Sequence, residues 1–351
     1  MHLNELDYNL PQELIALHPK KPRDQSNLIV TGKKDRIIKF KDIIQELSAY
    51  DTLVFNDTKV IKADLDGFFK NKKISINLNK LEDKEKNIWS AFIKSKQELK
   101  LGDKIIFSEC FSAKIRSVNY DKGLTFYYLD FNQTIIGFKR KIGKFGKAPL
   151  PPYIKKKRKY KQSDIEDYQT VFAKKEGAVA APTASLHFTK KLITKLKKKK
   201  IKIVKITLHI NGGTFLPIKT NLVSKHSMHF ETGFISRNAA NEINKTKIKG
   251  GKVVAVGTTV LRLLESSKDK NGFIKPFRGQ TNIFIKPGWE INSIDGIITN
   301  LHTPRSTLLL LIYALLGKKK TQELYNLAIK KRLRFFSYGD ASLIWRNHEK
   351  I

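Results

Sequence analysis

Residues 177–188 read GAVAAPTASLHF, and the rest of the chain is arranged around this stretch. The small side chains at its start allow the backbone to approach another group closely, and Pro182 disfavours helix at the residue before it. His187 then places a titratable imidazole just before residues 189–200, which have a helical pattern. Such a segment is typical of a loop at a functional site; the alternative is a tight turn beside a buried, hydrogen-bonded histidine.

After this loop, segments with a helical pattern alternate with segments with a strand pattern. Buried strands separated by helices indicate a layered α/β domain. The predicted helices are residues 189–200, 237–247, 260–267, 305–316 and 321–331, and the predicted strands are residues 202–209, 252–256, 282–286 and 296–299.

The first sixty residues carry shorter elements, which we expect to belong to the same domain. In order, they are a helix in LPQELIALHP that ends at Pro19, a hairpin of strands 27–31 and 36–40 joined at Gly32, a helix at 41–49 and a strand at 52–56.

The sequence pattern changes between residues 61 and 150. Turn residues separate short alternating runs, namely KISINL, WSAFIKS, KIIFSECFSAKIRSV and LTFYYLDF, and this predicts a small antiparallel β-barrel. The prolines of APLPPYI, residues 148–154, predict an extended crossing back. We therefore expect a layered α/β main domain, formed by residues 1–60 and 151–351, with an inserted β-barrel domain at residues 61–150.

The chain is strongly basic, with 68 Lys and Arg against 32 Asp and Glu and a formal net charge of +36. A field of that size attracts a polyanion such as a nucleic acid. A drift in overall composition would also produce the excess of Lys over Arg. The run KKKRKYK at residues 155–161 is consistent either with phosphate contacts or with a solvated loop, and the sequence leaves both open.

Cys110 is the one cysteine among the 351 residues, which excludes an internal disulfide and favours a reducing compartment. The start of the sequence lacks the basic-then-apolar layout of a secretion signal. The longest apolar run, residues 308–316, is too short to cross a bilayer. We therefore expect a cytoplasmic protein with no membrane contact.

Polar and small residues follow three of the predicted strands. In α/β sheets ligands bind beyond the carboxyl ends of the strands, so these residues are expected to share one pocket with His187. They are His209, Gly213 and Thr214 in LHINGGTF, Thr258, Thr259 and Arg262 in VAVGTTVLR, and Asn300 and His302 in TNLHTPRSTL.

Two helix starts near these residues offer free backbone N–H groups. Thr303 and Pro304 suit an N-cap and a first helical position, and Thr258 or Thr259 suits the N-cap of another helix. Either helix terminus can receive a carboxylate or a phosphate. The alternative is that these caps only complete their helices.

The sequence does not favour a metal site. One cysteine and scattered histidines lack zinc-ligand spacing, and His226 and His229 in KHSMHFE fit a site-lining loop better than a metal pair. The sequence also has no Walker loop and no G-x-G-x-x-G after a strand. We expect no metal, and no nucleotide bound in the common dinucleotide fashion.

Taken together, these motifs resemble one family, the S-adenosylmethionine:tRNA ribosyltransferase-isomerases of the queuosine pathway. The family architecture, an α/β domain with an inserted β-barrel, agrees with the elements above. The resemblance spans nearly the whole chain and runs through LVFNDTKVI, PLPPYI, YQTVF, GAVAAPTASLHF, VKITLHINGGTF, HSMHFE, VAVGTTVLRLLES, NIFIKPG, TNLHTPRSTL and RFFSYGDA.

The resemblance implies a transferase that moves the ribosyl group of S-adenosylmethionine to the 7-aminomethyl-7-deazaguanine at the wobble position of tRNA. The group is rearranged to give epoxyqueuosine, with release of adenine and methionine, so S-adenosylmethionine is a consumed cosubstrate. The implied partner is the anticodon region of tRNA. The oligomeric state stays open, a monomer being one option.

This implied chemistry needs a base for the proton beside the sulfonium. His187 or His209 is expected to be that base, and Asp340 of FFSYGDA is expected to hold a cationic part of the cosubstrate. The methionine carboxylate suits Arg262 or a helix N-terminus. The other residues expected to bind S-adenosylmethionine are Thr183, Gly213, Thr214, Thr258, Thr259, Asn300 and His302.

The chain departs from the family pattern at several positions, including Ser185 for a Gly, Lys59 for an Arg and Val260 for a Ser. Arg305 stands where the family usually has Glu, although an acid suits a first helical turn better. Two alternatives therefore stay open: a catalytically divergent or silent tRNA-binding homologue, and another S-adenosylmethionine-dependent RNA-modifying enzyme such as a methyltransferase.

Overall fold

The structure is a computed structural model that describes residues 1–121, 123–215, 220–226 and 228–346, with the backbone alone for residues 214 and 215. The strands are β1 (Asn27–Val30), β2 (Arg36–Lys39), β3 (Thr52–Asn56), β4 (Thr58–Val60), β5 (Asp64–Phe69), β6 (Lys72–Asp83), β7 (Ile88–Lys94), β8 (Lys104–Ser108), β9 (Phe111–Asp121), β10 (Leu124–Asp130), β11 (Lys175–Ala178), β12 (Lys202–His209), β13 (Glu231–Ile235), β14 (Val253–Val256), β15 (Phe277–Thr281), β16 (Gly296–Asn300) and β17 (Ala341–Trp345). The α-helices are α1 (Ile135–Phe145), α2 (Pro152–Lys157), α3 (Asp164–Asp167), α4 (Lys190–Lys198), α5 (Arg237–Ile248), α6 (Thr258–Ser267) and α7 (Thr307–Lys330).

The main sheet has nine strands in the order β15-β13-β12-β3-β14-β16-β17-β1-β2. Its centre is parallel, because β12 and β14 both pair in parallel with β3, and β16 pairs in parallel with β14. The carboxyl ends of these four strands therefore meet at one edge of the sheet, which we call the carboxyl edge. The opposite edge, where the same strands begin, is the amino edge.

Helices cover both faces of this sheet. Successive residues of β3 alternate between two cores: Val54 packs with residues of α5, α6 and α7, while Leu53 and Phe55 pack with α4. This alternation is the two-residue period of a strand buried on both faces. The layered α/β architecture predicted from the sequence is confirmed.

Six antiparallel strands between Asp64 and Asp130 close into a barrel in the order β10-β7-β6-β5-β8-β9. Aromatic side chains fill its interior, including Phe111 and Phe131, and Phe138 of α1 packs among them. The predicted small antiparallel barrel is thereby confirmed. The domain boundaries at residues 60 and 151 stay a prediction.

Several predicted elements match the strands and helices of the structure closely. The strands at residues 52–56 and 202–209 have the predicted bounds, and β1 and β2 form the predicted antiparallel hairpin. The predicted helices at 189–200 and 237–247 correspond to α4 and α5.

Other predicted elements are wrong. Residues 1–22 contain short 3-10 turns (Leu3–Leu6 and Gln12–Leu14) instead of a helix, since Pro11 and Pro19 interrupt the segment. A 3-10 segment, Phe40–Gln45, replaces the helix at 41–49. The strand predicted at 282–286 is absent, and β15 pairs with β13 just before it.

The helix starts near the carboxyl edge also differ from the prediction. The N-cap of α7 is Ser306, whose Oγ accepts a hydrogen bond from the Leu309 N–H at 3.2 Å, so Thr303 and Pro304 lie outside the helix. The N-cap of α6 is Gly257 at φ 101°, and Thr258 and Thr259 are the first helical residues. Only glycine adopts that backbone conformation without strain.

The end of the chain holds two further differences. Gly317, at φ 76°, breaks α7 at the gap between the two helices that were predicted there. β17 was not predicted, although it lies between β16 and β1 in the main sheet. In the described part of the chain, no helix is long and apolar enough to span a membrane.

Candidate active site

A cavity of about 400 Å³ lies at the carboxyl edge of the main sheet. Its walls come from the segments that follow β14 and β16, from the small-residue loop before α4, and from α2. It brings together five of the residues predicted to bind the cosubstrate, which are Thr183, Thr258, Thr259, Asn300 and His302.

The amino-terminal ends of α6 and α7 both reach this cavity. The N-cap of α6 is Gly257, which has no side chain to cap the first N–H groups of the helix. The Oγ1 atom of Thr259 is buried and has no hydrogen-bond partner in the described part of the chain. Free N–H groups, a positive helix end and an unsatisfied hydroxyl together suit an anionic group of a ligand.

His187 lies beneath the cavity as the centre of a hydrogen-bonded chain. The amide nitrogen of Asn300 donates to Nε2 of His187 at 3.2 Å, and Nδ1 shares a hydrogen bond of 2.8 Å with Ser26 Oγ. Thr183 Oγ1 donates to the amide oxygen of Asn300 at 2.9 Å. Because an amide N–H can only donate, Nε2 is the acceptor and the neutral ring carries its proton on Nδ1.

The surroundings keep His187 neutral. Its ring stacks on Phe40 with the two centroids 4.8 Å apart, and burial lowers its pKa to about 4, against a smaller opposing effect of Asp340. Because Nε2 of the neutral His187 ring accepts the hydrogen bond from Asn300, it holds the Asn300 amide in one orientation. The sequence singled out His187 and Asn300 but gave no signal for Ser26.

His302 is fixed from three sides at the cavity wall. Its backbone N–H donates to the Tyr325 hydroxyl at 2.9 Å, its carbonyl accepts from the Tyr8 hydroxyl, and Nε2 shares a 3.0 Å hydrogen bond with Thr299 Oγ1. Burial alone lowers its pKa to about 3. His302 is therefore neutral at physiological pH.

His209, at the end of β12, is half-buried. Its Nδ1 shares a 2.7 Å hydrogen bond with Thr58 Oγ1, and its ring packs against Gly177, where a Cβ would come within 2.9 Å of the ring. Burial lowers its pKa, partly offset by the charge of Asp57. In the described part of the chain Nε2 has no hydrogen-bond partner. Contrary to the expectation from the sequence, His209 does not line the cavity, although the next residue, Ile210, does.

Two charged residues from the predicted site are engaged inside the protein. Arg262 is buried, forms an ion pair with Glu231 through Nη1 and donates through Nε to the Ile283 carbonyl at 3.3 Å. Its Nη2 is buried without a hydrogen-bond partner among the described residues. Neither Arg262 nor Asp340 lies in the wall of this cavity.

The carboxylate of Asp340 is fully buried. Oδ1 accepts from the backbone N–H of Asn27 at 2.8 Å, and Oδ2 accepts from that of Arg334 at 2.9 Å. These two hydrogen bonds supply the partners that a buried carboxylate needs. The predicted contact of Asp340 with the cosubstrate stays a prediction.

The glycine pair after β12 lies in a 3-10 turn, Gly212–Phe215. A Cβ on Gly213 would come within 2.5 Å of the His229 ring, so a larger residue here would force that ring to move. The side chain of Thr214 lies outside what the structure describes. The structure brings no three His, Cys, Asp or Glu side chains together as a metal site within the described residues.

The sequence missed part of the cavity wall. Tyr153 and Lys156 of α2 line it, together with Phe336 and Ser337 ahead of β17. The sequence predicts an extended crossing for APLPPYI; residues 148–151 are non-helical, but Pro152 starts the short helix α2 against the cavity. Arg305 also lines the cavity, has a positive φ of 54° and pairs with Asp7, its Nε donating to Oδ2 at 2.8 Å.

Fold and cavity together define an α/β protein with a cavity at the carboxyl edge of its main sheet and an inserted antiparallel barrel. A family model described as queuosine biosynthesis protein matches residues 3–344 of the chain. The chain belongs to this family.

Relatives match over nearly the full length. The chain is 45% identical to an S-adenosylmethionine:tRNA ribosyltransferase-isomerase of Zymomonas mobilis, over 98% of this chain and 99% of the relative. It is 42% identical to the protein of that name from Erythrobacter litoralis, over 98% of each. Among solved structures, the S-adenosylmethionine tRNA ribosyltransferase of Thermotoga maritima is similar, with a TM-score of 0.54, 31% identity and coverage of 97% of this chain and 99% of that one.

Proposed function

We propose that this chain transfers and isomerises the ribosyl group of S-adenosylmethionine onto the 7-aminomethyl-7-deazaguanine at the wobble position of tRNA. The products are epoxyqueuosine in the tRNA, free adenine and free methionine. Family membership over residues 3–344 carries this proposal. The carboxyl-edge cavity supports it, because it combines an anion-binding helix end with uncharged polar groups.

The start of α6 suits the methionine carboxylate of S-adenosylmethionine. Thr259 offers a buried hydroxyl that has no partner in the described protein, next to N–H groups that no side chain caps. Arg262, the other predicted carboxylate ligand, already pairs with Glu231. We therefore assign the carboxylate to the α6 terminus instead of Arg262.

Asn300 and Thr183 form a fixed polar edge in the same cavity. One N–H of the Asn300 amide is used by His187 and its oxygen is used by Thr183. The second N–H is left for a hydroxyl or a ring nitrogen of the nucleoside. A pre-oriented amide loses little conformational entropy when it binds such a ligand.

His209 is the better of the two candidate bases. The acceptor nitrogen of His187 is occupied by Asn300, whereas Nε2 of His209 has no partner among the described residues. Its lowered pKa keeps His209 unprotonated at neutral pH, as a proton acceptor requires. We propose that His209 accepts the proton beside the sulfonium.

The partner in this proposal is the anticodon region of tRNA, and we propose that the enzyme works in the cytoplasm. The net charge of +36 favours association with RNA. Asp340 keeps its proposed role in holding a cationic part of the cosubstrate, and Gly213 and Thr214 keep theirs in binding it.

Incubation of the purified protein with S-adenosylmethionine and precursor-bearing tRNA tests the proposal. We expect free adenine in amounts equal to the modified nucleoside, and mass analysis of the anticodon nucleosides should show epoxyqueuosine. A methylated nucleoside would instead indicate a methyltransferase. Intact S-adenosylmethionine together with retained tRNA affinity would indicate a silent homologue, the alternative raised by Arg305.

A further inference from the structure

A basic surface borders the cavity on the side of α2. We call it the basic strip; it lies on α2, on the loop that follows and on the end of α1. Its members are Lys144, Lys147, Lys155, Lys156, Lys157, Arg158, Lys159 and Lys161. Lys156 is exposed and also lines the cavity, so the strip begins at the cavity mouth. The two parts meet where Lys147 Nζ lies 5.9 Å from the centre of the Tyr160 ring.

Three carboxylates neutralise three of the eight cations. Asp66 pairs with Lys147 at 2.8 Å, Asp64 pairs with Lys155 at 2.7 Å, and Asp164 pairs with Arg158 at 2.5 Å. These acids come from the barrel strand β5 and from α3. The pairs therefore tie the strip to two other parts of the molecule.

The Arg158 pair fixes the shape of the loop. Both terminal nitrogens of Arg158 donate to the buried Asp164, Nε donates to the Leu17 carbonyl at 3.1 Å, and the Lys161 N–H donates to the same carboxylate at 2.8 Å. A bidentate pair of this kind has one geometry. The backbone that carries the lysines on either side of Arg158 therefore has a fixed shape before any partner binds.

The remaining five lysines point into solvent. Lys144, Lys156, Lys157, Lys159 and Lys161 are all exposed. Among the residues that the structure describes, no carboxylate lies within 4.0 Å of their amino groups. Five like charges on a fixed support repel one another, and an array of anions at matching spacing would relieve that repulsion.

We infer that the basic strip binds the phosphate backbone of the tRNA whose nucleoside reacts in the cavity. This inference rests on the proposed function. An RNA with one nucleoside in the cavity must pass over the cavity mouth, where Lys156 stands, and its adjoining phosphates then face the neighbouring lysines. Compact ammonium groups bind phosphates as point charges without reading sequence.

The lysines of the basic strip differ from other exposed lysines of the chain in their location and not in their charge. Lys195, Lys197 and Lys198 of α4 and Lys249 after α5 are equally exposed and have no carboxylate partner among the described residues. They precede β12 and β14, at the amino edge. β12 is eight residues long, so its two ends lie roughly 20–25 Å apart.

The test compares two quadruple variants of the full chain. The strip variant is Lys144→Gln, Lys157→Gln, Lys159→Gln and Lys161→Gln, with Lys156 kept because it lines the cavity. The control variant is Lys195→Gln, Lys197→Gln, Lys198→Gln and Lys249→Gln, which removes the same charge. Affinity for precursor-bearing tRNA is measured by fluorescence anisotropy between 50 and 300 mM salt, and KM for both substrates is measured alongside.

We expect the strip variant to bind tRNA at least tenfold more weakly near physiological salt, with the slope of log affinity against log salt about 3 units shallower. KM for S-adenosylmethionine and the thermal midpoint should stay unchanged, and the control should bind almost as the wild type does. A variant with Lys→Arg at the same four positions should bind tRNA as tightly as the wild type does.

Equal losses in the strip variant and the control would overturn the inference, since they would show a general charge effect. Unchanged affinity in the strip variant would overturn it as well. Because affinity is measured without turnover, a wild-type protein that binds tRNA but leaves S-adenosylmethionine intact would count against the proposed function alone.

Discussion

The polar groups at the two edges of the main sheet differ in how far they are hydrogen-bonded within the protein. At the amino edge, the buried Asp51 accepts from the backbone N–H groups of Ser48 at 2.7 Å and Lys252 at 2.8 Å. Thr52 and Thr246 share a 2.6 Å hydrogen bond between their hydroxyls. In these contacts donors and acceptors satisfy one another, although the buried Oγ of Ser293, just ahead of β16, has no partner among the described residues.

At the carboxyl edge some polar groups are left over. Thr259 Oγ1 is buried without a partner among the described residues, α6 starts without a side-chain cap, and a cavity opens between the helix ends. A buried polar group without a partner costs stability, so its presence calls for an explanation. The carboxyl edge differs from the amino edge because it combines such a group with a helix start that has no side-chain cap and with a cavity, and this combination is expected where a ligand binds.

The largest expected effect concerns a buried ion pair near the carboxyl edge. Glu231→Gln leaves the buried Arg262 without its counter-ion. We expect the free energy of unfolding, measured by urea titration, to fall by about 3–5 kcal/mol, with KM for S-adenosylmethionine unchanged under conditions where the variant is folded. Normal stability with a raised KM would instead place Arg262 among the ligand-binding groups.

Removal of the proposed base should separate activity from stability. His209→Asn keeps a polar side chain beside Thr58 but removes the proton acceptor. We expect kcat for adenine release to fall about 10²–10³-fold, with the thermal midpoint changed little, because general bases contribute factors of this order. His187→Asn is the matched comparison. If His187→Asn lost turnover while His209→Asn retained it, the choice between the two histidines would be reversed.

The buried histidines predict how stability depends on pH. Burial lowers the pKa of His187 to about 4 and that of His302 to about 3, so the unfolded chain, whose histidines titrate near 6.5, binds more protons at mildly acidic pH. The stability that the two neutral histidines contribute to the folded state is complete above pH 6.5. It is lost as the pH falls toward their lowered pKa values. We expect each to account for about 2 kcal/mol of lost stability between pH 7 and pH 5.

Urea titrations of wild type and His302→Gln at both pH values check this. The variant should lose about 2 kcal/mol less than the wild type over that interval. If the wild type and the variant lost the same free energy of unfolding between pH 7 and pH 5, this would contradict the burial of a neutral His302.

The smallest expected effect compares one threonine from each edge. Thr259→Val removes a hydroxyl with no partner in the described protein, so stability should stay within about 0.5 kcal/mol while KM for S-adenosylmethionine rises about tenfold. Thr246→Val removes the bond to Thr52, so it should lower the free energy of unfolding by about 1 kcal/mol and leave KM unchanged. The comparison of the edges would fail if the two variants exchanged these effects.

The sequence predicted the central parallel strands because their pattern has a single explanation. The apolar runs at 52–56 and 202–209 are strand-length, rich in β-branched residues and bounded by polar breaks. The strand ends then pointed to Thr258, Thr259, Asn300 and His302, which do line one cavity. A rule about where ligands bind in such sheets was sufficient for these four residues.

The rest depended on contacts between distant segments. ASLIW has a single β-branched residue and does not distinguish a strand from a buried helical turn, and only its pairing with β1 and β16 makes it β17. Residues 282–286 alternate like a strand, yet Ile285 is buried in the core without a strand partner. The role of Ser26 depends on a contact with His187 across 161 positions of sequence.

Hydrogen–deuterium exchange with and without S-adenosylmethionine tests the central claim most directly, because it reports on both edges in one experiment. We predict that the cosubstrate slows exchange in the peptides covering residues 257–260 and 300–308 at the carboxyl edge. Peptides covering residues 48–52 and 246–253 at the amino edge should not change. Protection confined to the amino edge, or absent from residues 257–260 at saturating cosubstrate, would contradict the account.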